Sequence, residues 1–124
     1  MIKKVYMSLN QIEKLYKEGM VIGSHGVNHR LMARLNKTEF KNEIDNSFDL
    51  LKKFEVYKTF CYPYGWLHSS NDEIEQYLND KSVLFSVNLE SRDITNLDLK
   101  NRRQALPRFD CNEFDFGQVD INNK

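Results

Sequence analysis

The sequence predicts an α/β domain in which helices cover a sheet of largely parallel strands. Three helical patterns alternate with three short apolar segments, which is the element order of a parallel sheet with helical crossovers. Each apolar segment is followed by turn-forming or polar residues, as interior strands are. With 124 residues, 40% of them hydrophobic, the chain is expected to form a single domain spanning 1–124.

The helices are indicated by capping signals and by apolar residues at helical spacing. A capping residue is followed three positions later by glutamine or glutamate at three places: Ser8 and Gln11, Asn36 and Glu39, and Ser70 and Glu73. Gly19 is expected to end the first helix. The second helix carries an apolar stripe that is expected to lie in the core, made of Phe40, Ile44, Phe48 and Leu51.

The strands are predicted where short apolar segments lie between the helices: MVIGS at 20–24, TFCYPYG at 59–65 and VLFSV at 83–87. In parallel sheets the functional loops follow the carboxyl ends of strands. The loops after the first two strands are therefore expected at one rim of the sheet. Residues 88–101 are polar and show little periodicity.

Composition excludes several classes of function. Eighteen basic and eighteen acidic residues cancel, and the basic ones are scattered, so no patch suited to phosphates is expected and nucleic acid is not a predicted partner. No apolar segment is long enough to span a bilayer, and the N-terminus lacks a signal-peptide pattern. The chain as written is expected in the cytoplasm, or in the cell envelope if a targeting segment precedes it.

Cys61 and Cys111 are expected to be free thiols.

Two histidines follow the first predicted strand, four positions apart. Imidazoles at this spacing on one helical turn can share a cation, and zinc readily accepts neutral imidazole. Taken alone, the pattern is a weak signal for a metal site, and the alternative is that His25 caps the strand end while His29 faces water.

The residues around these histidines resemble a known family. The stretch GMVIGSHGVNHRLMARLNKTEFKNEIDNSFDLLKKF, followed by KTFCYPYG, is similar to the polysaccharide deacetylases, the NodB-homology group of carbohydrate esterases. That family shows a strand ending IGSH, a two-histidine pattern, an acidic helix containing E-I, and a P-Y-G turn. The later ALPRFD is similar to a segment near the end of some members. The resemblance runs from Ser8 to Asp110 and is sharpest in 19–65.

The resemblance implies a partial or deformed (β/α) barrel that removes N- or O-acetyl groups from sugars or polysaccharides with one divalent metal, such as zinc. By this resemblance His25 and His29 are metal ligands. The backbone N–H of Tyr64 would stabilise the oxyanion of the tetrahedral intermediate. Cell-envelope glycan processing is the setting that the family implies.

The sequence also departs from the family's pattern. The family's first motif, a strand ending in two aspartates, supplies the catalytic base and a third metal ligand. MIKKVYM at 1–7 contains no acid, so the domain is expected to be N-terminally incomplete and weak or inactive as this chain alone. An unpaired sheet edge in such a domain would favour homo-oligomers.

Three further residues are candidates for catalytic roles. The family's late histidine is absent, which leaves His68 as the candidate general acid, or else a solvated loop residue. Arg108 could orient a carboxylate or face outward in a salt bridge. Asp110 could act as acid or base, or else be a cap or a surface group.

The aromatic side chains near the YPYG turn have two interpretations as well. Tyr64 and Trp66 could stack on sugar rings, whereas Tyr62 is expected in the core.

Two functional hypotheses follow from the sequence. The first is a metal-dependent sugar deacetylase. The second is a non-catalytic deacetylase-like remnant that binds a glycan or a protein partner. They differ in whether an aspartate completes the metal site.

Overall fold

The computed structural model describes residues 6–54, 57–66 and 68–115. Within these ranges the helices and strands are α1 (Leu9–Lys17), α2 (Lys37–Leu51), β1 (Thr59–Cys61), α3 (Asp72–Asp80), β2 (Phe85–Val87) and α4 (Asn96–Asn101). Single 3-10 turns lie at Met32–Arg34, Lys52–Phe54, Arg103–Ala105 and Cys111–Glu113. The first five residues of MIKKVYM lie outside the described ranges.

The first two helices begin at the predicted capping boxes. The Ser8 hydroxyl accepts a hydrogen bond from the backbone N–H of Gln11, whose side chain accepts one from the N–H of Ser8 in return. Asn36 and Glu39 make the same reciprocal pair at the start of α2. Each pair satisfies backbone donors that the first turn of a helix leaves unpaired, which explains why both helices begin where they do.

The core lies between α2, α3 and the sheet. Phe40, Ile44 and Phe48 of the predicted stripe are buried, and Leu51 is half-buried. The buried cluster comprises Met32, Phe40, Ile44, Phe48, Phe60, Tyr62, Ile74, Leu78 and Val83. Burial of these side chains supplies most of the favourable free energy of folding. The prediction that Tyr62 belongs to the core is confirmed.

The sheet is parallel and small. β1 and β2 pair in register, with Thr59 opposite Phe85, Phe60 opposite Ser86 and Cys61 opposite Val87. One residue extends the pairing on each side, because Ser24 bridges to Phe60 and Leu106 bridges to Val87, both in parallel. The α/β class with parallel strands is confirmed in the described part of the chain.

The strand predicted at 20–24 is wrong except for its last residue. Ser24 donates its backbone N–H to the carbonyl of Thr59 at 2.9 Å, and Thr59 is the first residue of β1. β1 therefore provides no further backbone to pair with 20–23, and Met20 and Val21 are exposed. An apolar segment forms a strand only where a neighbouring strand can take its hydrogen bonds.

The N-terminal end of α3 was also predicted one residue too early. Asn71 caps the helix, its side-chain oxygen accepting from the backbone N–H of Ile74 at 3.0 Å. Ser70 instead donates its hydroxyl to Glu75. Asn, Ser and Asp are about equally good N-caps, so neighbouring capping residues compete and tertiary contacts decide between them.

Helix α4 lies in the region 88–101, for which the sequence predicted no element. Thr95 and Asp98 form its capping box. In the described ranges both cysteines are free thiols, as predicted. No helix there is long and apolar enough to cross a membrane.

Candidate functional site

The two histidines lie together at the carboxyl end of the sheet. The ring centroids of His25 and His29 are 4.9 Å apart, with 64° between the ring planes. The Nδ1 atom of His25 lies 2.7 Å from the backbone carbonyl oxygen of Cys61, at the end of β1. Because a carbonyl can only accept, Nδ1 carries the proton and Nε2 is left with a free lone pair. Both side chains are exposed, so an ion can reach that lone pair.

A loop rather than a helical turn brings the two rings together. Residues 25–30 are not helical, and the backbone takes left-handed φ values at Gly26 (+76°) and His29 (+52°). The expectation that a helical turn would align the imidazoles was therefore wrong in mechanism. The reversal of chain direction that the positive φ values produce achieves the same proximity.

Side chains of helix α2 hold this loop by hydrogen bonds. One carboxylate oxygen of Glu43 accepts the backbone N–H groups of Val27 and Asn28, each at 2.9 Å. Its other oxygen accepts from the side-chain amide of Asn28. Four residues further along α2, the hydroxyls of Ser47 and Ser24 are 2.5 Å apart.

Glu43 is only 5% exposed. Burial by itself would raise the pKa of its carboxyl, but the hydrogen bonds from Asn28 and Val27 outweigh burial and hold the pKa below its usual value. In the sequence Glu43 stands out only as the glutamate of the E-I pair, with no role of its own. The available signal was a glutamate inside the apolar stripe of α2, between Phe40 and Ile44.

The YPYG turn lies next to the histidine loop. The ring of Tyr64 is 4.8 Å from that of His29, between centroids. Tyr64 and Gly65 both have a φ of +67°, and the carbonyl of Gly65 accepts the backbone N–H of Leu89. Within the described ranges no group accepts a hydrogen bond from the backbone N–H of Tyr64.

An open cleft of about 500 Å³ adjoins the turn, lined by Leu31, Arg34, Tyr64, Trp66 and His68. The Trp66 side chain is 70% exposed, and that of Tyr64 is 57% exposed. His68 thus lies on the same cleft as the aromatic pair. Among the described residues Arg34 has no ion-pair partner. The cleft offers two aromatic faces and one cationic group.

Arg108 and Asp110 take different positions. Arg108 is half-buried, and its Nε atom has no hydrogen-bond partner in the described part of the chain. Its Nη2 atom would lie 3.4 Å from a Cβ placed on Gly65, so the guanidinium lies against the turn. Asp110 caps the turn Cys111–Glu113 by accepting the N–H of Asn112 at 3.2 Å. Its role as an acid or base stays a prediction.

The donor set matches a metal site only in part. Two imidazoles, one with its tautomer fixed by a carbonyl, suit zinc or a similar ion. Catalytic zinc typically takes three protein ligands, and the described residues contain no cluster of three histidine, cysteine or acidic side chains. A zinc ion held by these two imidazoles alone would complete its coordination with water.

Comparison with models of protein families gives one match. Residues 2–86 match the model described as polysaccharide deacetylase. This range includes both histidines and the YPYG turn and ends before Arg108 and Asp110. Comparisons with curated proteins and with solved structures give no match.

Proposed function

The chain belongs to the polysaccharide deacetylase family, and on that premise we propose that it is a metal-dependent hydrolase domain acting on acetylated sugars or polysaccharides. The observation that carries the proposal is the 4.9 Å approach of the His25 and His29 rings, with His25 Nδ1 held by a carbonyl. We assign both histidines as ligands of Zn²⁺ or another divalent cation.

When bound, such a cation supplies Lewis-acid polarisation of the acetyl carbonyl and a water of lowered pKa. The remaining roles fall to side chains and backbone of the chain itself. The Tyr64 N–H donates to the oxyanion that develops on the acetyl carbonyl. The left-handed φ of Tyr64 and Gly65 supports this role, since it fixes the orientation of the peptide groups in the turn.

Proton transfer is assigned to groups on the same rim. His68 lines the cleft with Tyr64, so we assign it as the proton donor to the leaving amine or hydroxyl. Arg108, whose guanidinium lies against Gly65, would orient a carboxylate at the site. Asp110 is retained as an acid or base candidate, although its carboxylate is engaged in a cap.

The glycan itself is assigned to the cleft beside the turn. Trp66 and Tyr64 expose aromatic faces there, and such faces suit the C–H surfaces of sugar rings. We place the strands in a partial or deformed (β/α) barrel, consistent with the parallel pairing of β1 and β2. The implied setting is glycan processing in the bacterial cell envelope.

As this chain alone, the domain should turn over weakly or not at all. The described residues offer the two imidazoles no acidic third ligand. This same observation favours the alternative function, a non-catalytic deacetylase-like domain that binds a glycan or a protein partner. Both functions use the cleft, but only the first requires the metal.

Zinc binding tests the proposal directly. After incubation with zinc and removal of free ion, elemental analysis should find about one ion per chain. His25→Ala should abolish retention, and the matched control His68→Ala should keep it, because His68 is not assigned as a ligand. Equal zinc retention by wild type and His25→Ala would refute the ligand assignment.

Acetate release from acetylated chito-oligosaccharides separates the two functions. Release by wild type, even if slow, that disappears in His25→Ala supports the deacetylase. Glycan binding that persists without zinc and without acetate release supports the binding domain. Rapid turnover would contradict the incomplete ligand set.

A further inference from the structure

We infer that Glu43 is a positioning residue that sets the separation of the two imidazoles through the backbone between them. The inference rests on the proposed metal role of His25 and His29. Glu43 makes no hydrogen bond to either ring, but its carboxylate accepts three N–H hydrogen bonds from Val27 and Asn28, in the middle of the loop that joins the two histidines.

The approach of the carboxylate is built into the loop. Gly26 has a left-handed φ, and a Cβ placed on it would lie 3.3 Å from Oε2 of Glu43 and 3.8 Å from Cγ of Pro63. A larger residue at that position would push the carboxylate or the loop away. Glycine therefore serves two purposes here, since it permits both the chain reversal and the close contact with α2.

The two histidines differ in how they are held. His25 is fixed twice, through the hydrogen bond of its own Nδ1 to Cys61 and through the Ser24–Ser47 hydroxyl pair next to it. The His29 ring makes no hydrogen bond within the described ranges, and it lies edge-on to the rings of His25 and Tyr64. Its position relative to His25 therefore depends on the Glu43 anchor one residue earlier, at Asn28.

A purely structural role is the competing explanation, because removing any hydrogen-bonded carboxylate from α2 lowers stability. Asp45 provides the matched control. It lies on the same helix, accepts from the Tyr77 hydroxyl at 2.8 Å and pairs with Lys81 at 3.0 Å, away from the histidine loop. Asp45→Asn removes a comparable charge and leaves the loop contacts intact.

The variants are Glu43→Gln, Asn28→Ala and Asp45→Asn. Glu43→Gln keeps the volume and one carbonyl acceptor but removes the charge. Asn28 is exposed, so Asn28→Ala is a second probe that does not endanger folding. Asn28→Ala removes only the side-chain amide donor, so its effect should be in the same direction as that of Glu43→Gln and smaller.

Two measurements are made on each protein. In the metal-free protein, two-dimensional NMR should show a ring-to-ring NOE between His25 and His29. Glu43→Gln should weaken this NOE and lower zinc affinity about tenfold in a calorimetric titration, the usual cost of losing a group that orients metal ligands. Asp45→Asn should leave the NOE unchanged and zinc affinity within about twofold of wild type.

The inference is overturned if Glu43→Gln keeps the NOE and the wild-type zinc affinity, or if Asp45→Asn loses as much of either. Its failure is distinguishable from failure of the proposed function. If wild type binds no zinc, the metal role is refuted, but the NOE in the metal-free variants still decides whether Glu43 sets the ring separation.

Discussion

Replacing Gly65 by alanine tests how tightly the YPYG turn is packed. Gly65 lies at φ +67°, in the left-handed region that residues with a Cβ rarely adopt. The added Cβ would lie 2.7 Å from Cβ of Leu89 and 3.0 Å from its backbone nitrogen. The backbone nitrogen cannot move away by a side-chain rotation, so the turn or residue 89 must shift.

The expected loss of stability has two parts. The left-handed conformation costs a residue with a Cβ about 1–2 kcal/mol, offset by about 0.4–1 kcal/mol because alanine restricts the unfolded chain more than glycine does. Overpacking against a fixed neighbour adds about 1–3 kcal/mol. Gly65→Ala should therefore lower the free energy of unfolding by about 1–5 kcal/mol, with the middle of the range near about 3 kcal/mol.

Gly19 supplies the matched control, because it has a φ of +87° with nothing within 4 Å of an added Cβ. Gly19→Ala should show only the conformational part, a loss of about 0–1.6 kcal/mol. The assay is urea unfolding followed by circular dichroism, with the slope checked for two-state behaviour. If Gly65→Ala and Gly19→Ala lower the free energy of unfolding equally, Leu89 can move aside without a cost in stability, and the packing argument is wrong.

Two further predictions concern helix ends. Asn71→Ala should lower the free energy of unfolding by about 1 kcal/mol in urea, because Asn71 caps α3; an unchanged midpoint would contradict that assignment. Arg92 and the hydrogen bonds from Thr95 hold the pKa of Asp98 well below its usual value. Because the pKa of Asp98 is lower in the folded state than the unfolded value of about 4, its ionised carboxylate stabilises the fold at pH values above about 4. This stabilisation is lost progressively as the pH falls below that value. Asp98→Asn should therefore lower the melting temperature at pH 7. Between pH 6 and pH 3 the melting temperature of the variant should fall less than that of wild type. Parallel pH profiles of the two proteins would contradict the assigned stabilisation by Asp98.

The elements that the sequence predicted well are those with local causes. The capping boxes at Ser8 and Asn36 act within four residues, so the starts of α1 and α2 follow from the sequence alone. The apolar stripe of α2 likewise follows from helical spacing, and Phe40, Ile44 and Phe48 are buried. Such signals do not depend on how distant segments pair.

Two failures of prediction, the strand at 20–23 and the cause of the histidine approach, involve partners distant in sequence. Residues 20–23 have strand composition, but β1 begins at Thr59, opposite Ser24, and offers them no backbone. The proximity of the histidines was predicted, while its cause was not. The loop that joins them has left-handed φ values at Gly26 and His29, and its backbone is hydrogen-bonded to Glu43 on α2, about fifteen residues away in sequence. Spacing along the chain does not reveal such a contact.

The proposed metal site has two features with separate consequences: the histidine loop is held by several hydrogen bonds, and the described residues supply only two of the proposed ligands. Hydrogen bonds to Ser24, His25 and the 27–28 backbone are formed within the protein, so the histidine loop is held without a cation. A preorganised site binds more tightly because less ordering is required upon binding. The lack of an acidic third ligand among the described residues should lower the affinity for zinc, however well the histidine loop is ordered. A weak zinc affinity with an intact ring-to-ring NOE would therefore identify the ligand count, rather than a mobile loop, as the limiting factor.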